Sequence, residues 1–204
     1  MAKLNTPKGK LVRKLGVNIF GNPKFDKLLS RKGYRPGQHG QSGKRFTTYS
    51  TQLKEKQKIK FMYGMLEKQF RNYFKKAASK KGPTGHNLLI MLESRLDNTV
   101  YRLGLASTRS AARQLISHKH FLVNNNVVNI PSYLLSDGDV IQVRDKSKRV
   151  RVFQDSMRRI QGDNPMPWLS IDKSKLNGIF NNFPERDEIP ETFNEQLVVE
   201  LYSK

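Results

Sequence analysis

Cysteine is absent from the 204-residue chain, which excludes disulfides and any thiolate metal site and fits a reducing compartment. Long apolar runs are absent too, so no segment can span a bilayer as a helix. The opening, residues 1–8, lacks the apolar core of a signal peptide. Acidic residues are scarce at the front: residues 1–82 hold 3 of them against 22 basic ones, a net of +19.

Cationic charge fills that gap. The whole chain has 38 Lys+Arg against 17 Asp+Glu, a formal charge of +21. Such an excess repels itself in a folded molecule and calls for a polyanionic partner. Without a spanning or anchoring pattern for a membrane, nucleic acid is the expected one, and no membrane partner or small-molecule substrate is implied. The charge is polarised along the chain. Residues 83–159 carry 12 basic and 6 acidic residues, and residues 160–204 carry 4 and 8, so the end is net acidic. One end is built to touch phosphate and the other is not.

Residues 1–48 mix Gly, Pro, Lys and Arg with little apolar periodicity. They read as an extended basic arm with a few turns that orders on its partner; disorder is the alternative. Over 49–81 an apolar stripe of Ile59, Met62, Leu66, Phe70, Tyr73 and Ala77 predicts helix, kinked or broken at Gly64. A helix follows over 86–103, stopped by Gly104. A short one comes next, capped by Ser107 or Thr108. The period then shifts to about two. Phe121-Leu122-Val123 and Val127-Val128-Asn129-Ile130 flank the reversal Asn124-Asn125-Asn126, and Asp137-Gly138-Asp139 leads into a strand over 140–144. Residues 91–147 thus form a compact helix–helix–strands unit. Beyond it, 148–162 reads as a basic helix and 168–172 as a strand. The tail over 194–202 fits both periods; its unbroken run Leu197-Val198-Val199 favours helix.

Two groups of residues carry binding chemistry. The basic arm (Lys3, Lys8, Lys10, Arg13, Lys14, Arg31, Lys32, Arg35, His39) and the first helical region (Lys56, Lys58, Lys60, Lys68, Arg71) suit phosphate contact and release of counterions. In the turn Pro36-Gly37-Gln38-His39-Gly40 the glycines let backbone amides approach an anion. Tyr34, Phe46, Tyr49 and Tyr63 are candidates for stacking on bases. In the middle unit, Arg109 and Arg113 lie four apart on one helix face, followed by His118, Lys119 and His120. His118 and His120 lack cysteine or nearby carboxylates to complete a metal set, so hydrogen bonding or RNA contact is expected, with no metal and no cofactor.

The run Leu92-Glu93-Ser94-Arg95-Leu96-Asp97-Asn98-Thr99-Val100-Tyr101-Arg102-Leu103-Gly104, then Ala112-Arg113-Gln114-Leu115-Ile116-Ser117-His118, Val123-Asn124 and Asn129-Ile130-Pro131-Ser132-Tyr133, resembles the RNA-binding module named after small-subunit ribosomal protein S-four. Pro36-Gly37-Gln38-His39-Gly40, Glu55-Lys56-Gln57-Lys58, Tyr63-Gly64, Glu67-Lys68-Gln69-Phe70 and residues 195–204 extend the resemblance to nearly the whole length of that ribosomal protein family, in its zinc-free type. The resemblance implies an α+β fold: a mostly helical domain (49–90 plus 148–204) with an inserted small α/β RNA-binding module (91–147, two helices on a small, mostly antiparallel sheet), and the basic arm over 1–48.

The resemblance further implies a structural constituent of the small ribosomal subunit. Such a protein is a primary rRNA-binding protein that nucleates assembly of the 5′ domain. It contacts protein S-five at an interface that affects decoding accuracy, and in some members it represses its own messenger. Gln114 joins the RNA contacts on this ground, Lys44 and Arg45 are expected to reach toward messenger RNA, and Glu200, Tyr202 and Lys204 are expected at a protein interface. A bacterial cytoplasmic ribosome and a plastid one both fit. Two other readings compete. Some pseudouridine synthases carry a similar Arg-Leu-Asp with a catalytic Asp, which would make Arg95-Leu96-Asp97 part of an RNA-modifying enzyme. No separate catalytic domain is expected after the triplet to supply a uridine pocket, so Asp97 is expected to be a structural ion-pair or hydrogen-bond partner. A free RNA chaperone carrying the module is the other.

Overall fold

A computed structural model of the chain describes residues 6–42, 47–158 and 166–203. Its elements run α1 (Lys8–Leu15), α2 (Pro23–Arg31), α3 (Thr48–Met62), α4 (Glu67–Ala78), α5 (Thr84–Glu93), α6 (Leu96–Arg102), α7 (Arg109–Ser117), β1 (Phe121–Val123), β2 (Asn126–Val127) and β3 (Val140–Val143). A 3-10 turn at Asp145–Ser147 follows, then α8 (Arg151–Met157), β4 (Leu169–Asp172), β5 (Asn177–Phe180) and α9 (Glu195–Tyr202). The chain divides into two compact units, Met1–Lys75 with Thr192–Lys204, and Lys76–Glu191.

In the first unit the front of the chain is more structured than an extended arm. α1 forms because Leu11, Val12 and Leu15 make an apolar stripe between its lysines and arginine. Leu11 and Leu15 of the stripe pack with Ile19 and Phe61 in one cluster, and Phe20 and Met62 lie against it. Each fully buried leucine or phenylalanine there contributes about 1.5–3 kcal/mol. α2 starts where the Asn22 side chain accepts from the Lys24 amide and Pro23 takes the first helical position. The stripe is short and interleaved with cations, which hid it from the periodicity reading. Gly64, at φ 61°, separates α3 from α4, as expected. α9 packs along α3, with Gln52 donating to a Glu200 carboxylate oxygen at 2.9 Å.

The second unit sets α5–α8 with an antiparallel sheet of order β2-β1-β3-β5-β4. Phe121, Val123, Ile141, Val143, Leu169, Ile171, Gly178 and Phe180 are buried, alternating with exposed or half-exposed positions. The β1–β2 turn holds Asn124 and Asn125 at φ 48° and 66°, where a left-handed backbone is needed. Asn124 also clamps the next turn: its side-chain oxygen accepts from the Val140 amide at 2.9 Å, and its amide group donates to Asp139 at 2.8 Å.

Two features differ from the sequence reading. The helix expected over 86–103 breaks at Ser94 and Arg95. The amides of Leu96 and Asp97 turn to the carbonyls of Tyr133 and Pro131, at 2.8 and 3.0 Å, so the 131–133 loop caps α6 in place of α5. The expected boundary at 147 also shifts. β5 hydrogen-bonds to β3, and Phe153 of α8 meets Phe121 edge-on at 5.8 Å, so residues 148–191 belong with the 76–147 stretch. β5 was not expected at all. Asn177-Gly178 is a poor strand sequence, yet a Cβ on Gly178 would come within 2.6 Å of the Leu103 side chain and 3.1 Å of the Ser170 carbonyl.

Candidate nucleic-acid interface

Exposed cations line the described front of the first unit. Lys8, Lys10 and Lys14 on α1, Arg31 at the end of α2, Lys32 after it, and His39 in the following turn all face solvent. Arg13 plays another part. Its guanidinium donates to the carbonyls of Tyr34 and Arg35 at 3.1 and 3.2 Å and lies 4.7 Å over the Tyr34 ring, so it shapes the loop that carries Arg35. The turn at 36–40 needs its last glycine: a Cβ on Gly40 would fall 1.8 Å from the Arg35 carbonyl oxygen. Lys3, Lys44, Arg45, Phe46 and Lys204 lie outside the described residues.

Further along, several expected phosphate contacts are taken up inside the unit. Lys56 is 9% exposed and bonds Glu67 at 2.6 Å, Lys60 bonds the same carboxylate at 2.8 Å, and Lys58 pairs with Glu55. Lys68 and Arg71, on α4, remain on the surface. Tyr202 donates its hydroxyl to Glu67 at 3.0 Å and packs its ring 4.5 Å from that of Phe74. Tyr202 and Glu200, read as interface residues, therefore hold α9 in place. Burial and the Glu67 charge keep the Tyr202 phenol protonated well above its usual range.

Burial raises the proton affinity of Glu67, but hydrogen bonds and charge from Lys56 and Lys60 outweigh it and pull the carboxyl from 4.5 down to about 2. The folded pKa lies below the unfolded one. The latch therefore contributes fully above pH 4.5 and is lost as pH falls through about 2. Glu67's side chain is 48% exposed, so solvent screening holds the contribution to about 1 kcal/mol. Glu67→Gln is expected to lower the melting temperature at pH 6 and to match the wild type near pH 2. A gap that persists unchanged at pH 2 contradicts the assignment.

In the second unit the charged residues of the Leu92–Gly104 run turn inward. Glu93, fully buried, accepts from Nη2 and Nε of Arg102 at 2.8 and 3.1 Å and from Asn98 at 2.7 Å. Arg102 also reaches Glu191 at 2.6 Å. Asp97, 2% exposed, is gripped on both oxygens by Arg95, and Arg113 joins at the second oxygen. Asp97 is thus an ion-pair partner, as expected. Arg109 bonds Asn98 at 2.8 Å, lies 4.5 Å over the Tyr101 ring and pairs with Glu191 at 3.5 Å. Arg109 and Arg113 were expected on an outward cationic face; the geometry instead makes them clasps between α6 and α7. Gln114, one position on, is exposed.

One group of outward cations in this unit lies where α7 ends. His118 and Lys119 are exposed, and His120 is half-buried with its Nδ1 2.9 Å from the Ser147 hydroxyl. Burial, then coulombic repulsion from His118 and Arg144, depresses the basicity of His120. Arg144 donates to the Lys119 carbonyl at 3.1 Å, and Lys146, Arg149 and Arg151 follow on exposed positions. The sequence reading named the histidines and Lys119 but not this second strand of cations. Its signal was legible: five basic residues fall within 144–151.

Exposed lysine and arginine on helices, beside carboxylates such as Glu93 and Asp97 that are engaged as clasps, make a surface suited to a polyanion. Residues 3–93 match the family described as ribosomal protein S4/S9 N-terminal domain, and residues 94–141 match the S4 domain. The chain is 54% identical over 205 aligned residues to small ribosomal subunit protein uS4 of Parabacteroides distasonis, covering 100% of both chains. With the proteins of the same name from Cytophaga hutchinsonii and Chlorobaculum tepidum it shares 52% and 49%, again over 100% of each. The chain belongs to the S4 family of ribosomal proteins, a structural class and not an enzymatic one.

Proposed function

We propose that the chain is a structural constituent of the small ribosomal subunit of a bacterial cytoplasm, where it binds the 5′ domain of small-subunit rRNA early and helps nucleate its assembly. The observation that carries this reading is the net charge of +19 on residues 1–82, within a chain matched end to end by relatives named for the small subunit. Lys8, Lys10, Lys14, Arg31, Lys32, His39, Lys68 and Arg71 supply the exposed phosphate contacts of the first unit. Gln114, His118 and Lys119 supply those of the second. A contact with protein S-five that bears on decoding accuracy, and an approach of residues 44–45 to messenger RNA, belong to the same reading.

Each phosphate neutralised releases counterions, so affinity falls with salt in proportion to the number of contacts. With roughly six or more contacts, affinity for a 5′-domain transcript is expected to fall by about a thousandfold between 50 and 200 mM salt. A flat response refutes the electrostatic account. Sucrose-gradient fractionation tests the cellular side: the chain is expected in small subunits at one copy each, and a predominantly free pool would favour a chaperone role.

A further inference from the structure

Residues 121–136 hold no charged side chain, in a chain of which 27% is charged. The second half of this stretch, between β2 and β3, is pinned along its backbone. Pro131 and Tyr133 give their carbonyls to α6, the Leu135 amide donates to the Ser94 carbonyl at 2.9 Å, and Leu134 pairs with Arg95 in an isolated antiparallel bridge. Pro131 and Leu135 are buried. Ile130, Tyr133 and Leu134 are not: Ile130 is 56% exposed, and the other two also stand in solvent. A rigid apolar patch left in water marks a contact surface, because covering it costs little further ordering.

The same stretch of chain leads into an acidic margin. The Gly138 amide donates to the Phe180 carbonyl at 2.7 Å, which sets Asp137 against the end of β5. There Phe183, 41% exposed, lies edge-on to the Phe180 ring at 5.7 Å, and Glu185 and Asp187 follow it. Asp137, Glu185 and Asp187 are exposed and make no ion pair among the described residues. Glu67, Glu93, Asp97 and Glu191, by contrast, are each held by Lys or Arg. In a molecule of formal charge +21, bare carboxylates beside an exposed aromatic repel phosphate and attract a cation. We propose that this face, Ile130 to Leu134 with Phe183 and the three carboxylates, docks a neighbouring protein of the small subunit through a segment that sets Lys or Arg beside an apolar side chain. The apolar side chains form its centre and the carboxylates its rim. RNA is the poorer occupant: Tyr133 and Phe183 offer rings to a base, but each nucleotide would bring its phosphate toward unpaired carboxylates. The face belongs to the second unit, whereas Glu200 and Tyr202 of α9 belong to the first. The proposal rests on the reading of the chain as a small-subunit protein.

Hydroxyl-radical labelling of the full chain tests it in three states: alone, bound to the 5′-domain transcript, and in purified complete small subunits. Tyr133, Leu134 and Phe183 are expected to label alike in the first two and to lose most of their labelling in the third. Protection already present in the transcript complex means that RNA covers the face; full labelling in the complete subunit means that nothing does. Either result overturns the proposal and leaves the RNA-binding reading in place. A carbodiimide, which joins touching carboxylates and amines, is expected to link Glu185 or Asp187 to a lysine of another protein in the same particles. Protection without any such link assigns the cover to a further rRNA segment and also overturns it. Glu185→Lys with Asp187→Lys alters two exposed side chains. The double variant is expected to bind the transcript at least as well as the wild type, yet to enter subunits about tenfold less in competition with it, because like charges then meet at the rim. Equal uptake counts against the face. If the wild-type chain is itself missing from small subunits, the parent reading falls as well.

Discussion

Replacing Glu93 with alanine is expected to destabilise the Lys76–Glu191 unit by about 3–5 kcal/mol, because it leaves the buried Arg102 guanidinium without its bidentate partner. Arg102 is 8% exposed and cannot recover its hydration without opening the unit. Glu191, its second acceptor, is only partly buried and comes from the far end of the unit. Asn98 and Arg109 lose their alignment in the same step, since Asn98 bridges Glu93 and Arg109. In urea the midpoint is expected to drop with an unchanged slope. The pair is not needed for stability as such: Glu93→Met with Arg102→Met is expected to recover most of the loss, because removing both charges removes the desolvation penalty as well. A single-variant loss below about 1 kcal/mol would mean that water reaches the pair.

The same network shows where sequence reasoning stops. Arg109 and Arg113 sit at helical spacing, and spacing alone says that they share a face. It does not say what faces them. The inward answer depends on Asp97, Asn98 and Glu191, and the last is 82 positions from Arg109. Lys56 and Lys60 were misread for the same reason: Glu67 and Tyr202 meet them only after the chain has folded. Charge reversal at Arg113 would set a glutamate against the buried Asp97, so it tests folding before it tests RNA contact. Local signals fared better. The Gly64 break, the Thr108 cap, the paired-asparagine turn and the C-terminal helix were all legible, because each is decided by a few neighbouring residues. α1 and β5 were not: the first hid its stripe among cations, and the second uses a glycine that only the Leu103 side chain and the Ser170 carbonyl demand.

The redrawn boundary at residue 148 has a measurable consequence at Trp168. Its side chain is fully buried, and its carbonyl accepts from the Asn181 amide at 3.0 Å, so it anchors the β4–β5 pair. Trp168→Ala is expected to cost about 3–5 kcal/mol through lost burial and the cavity left behind; Trp168→Phe should cost less. Where the loss appears matters more than its size. β4 holds β5, and β5 holds β3 through Ile179, Gly178 and Asn177. The cavity should therefore lower hydrogen-exchange protection in β1, β3 and α6 together, as parts of one cooperative unit. Under the boundary first drawn from the sequence, residues 148–204 would pack with α3, and the protection lost would be that of α3 and α9. The two outcomes are distinct at the level of single amides. The ladder from β3 to β5 requires the first, because a strand cannot exchange its hydrogen bonds with a sheet it does not belong to.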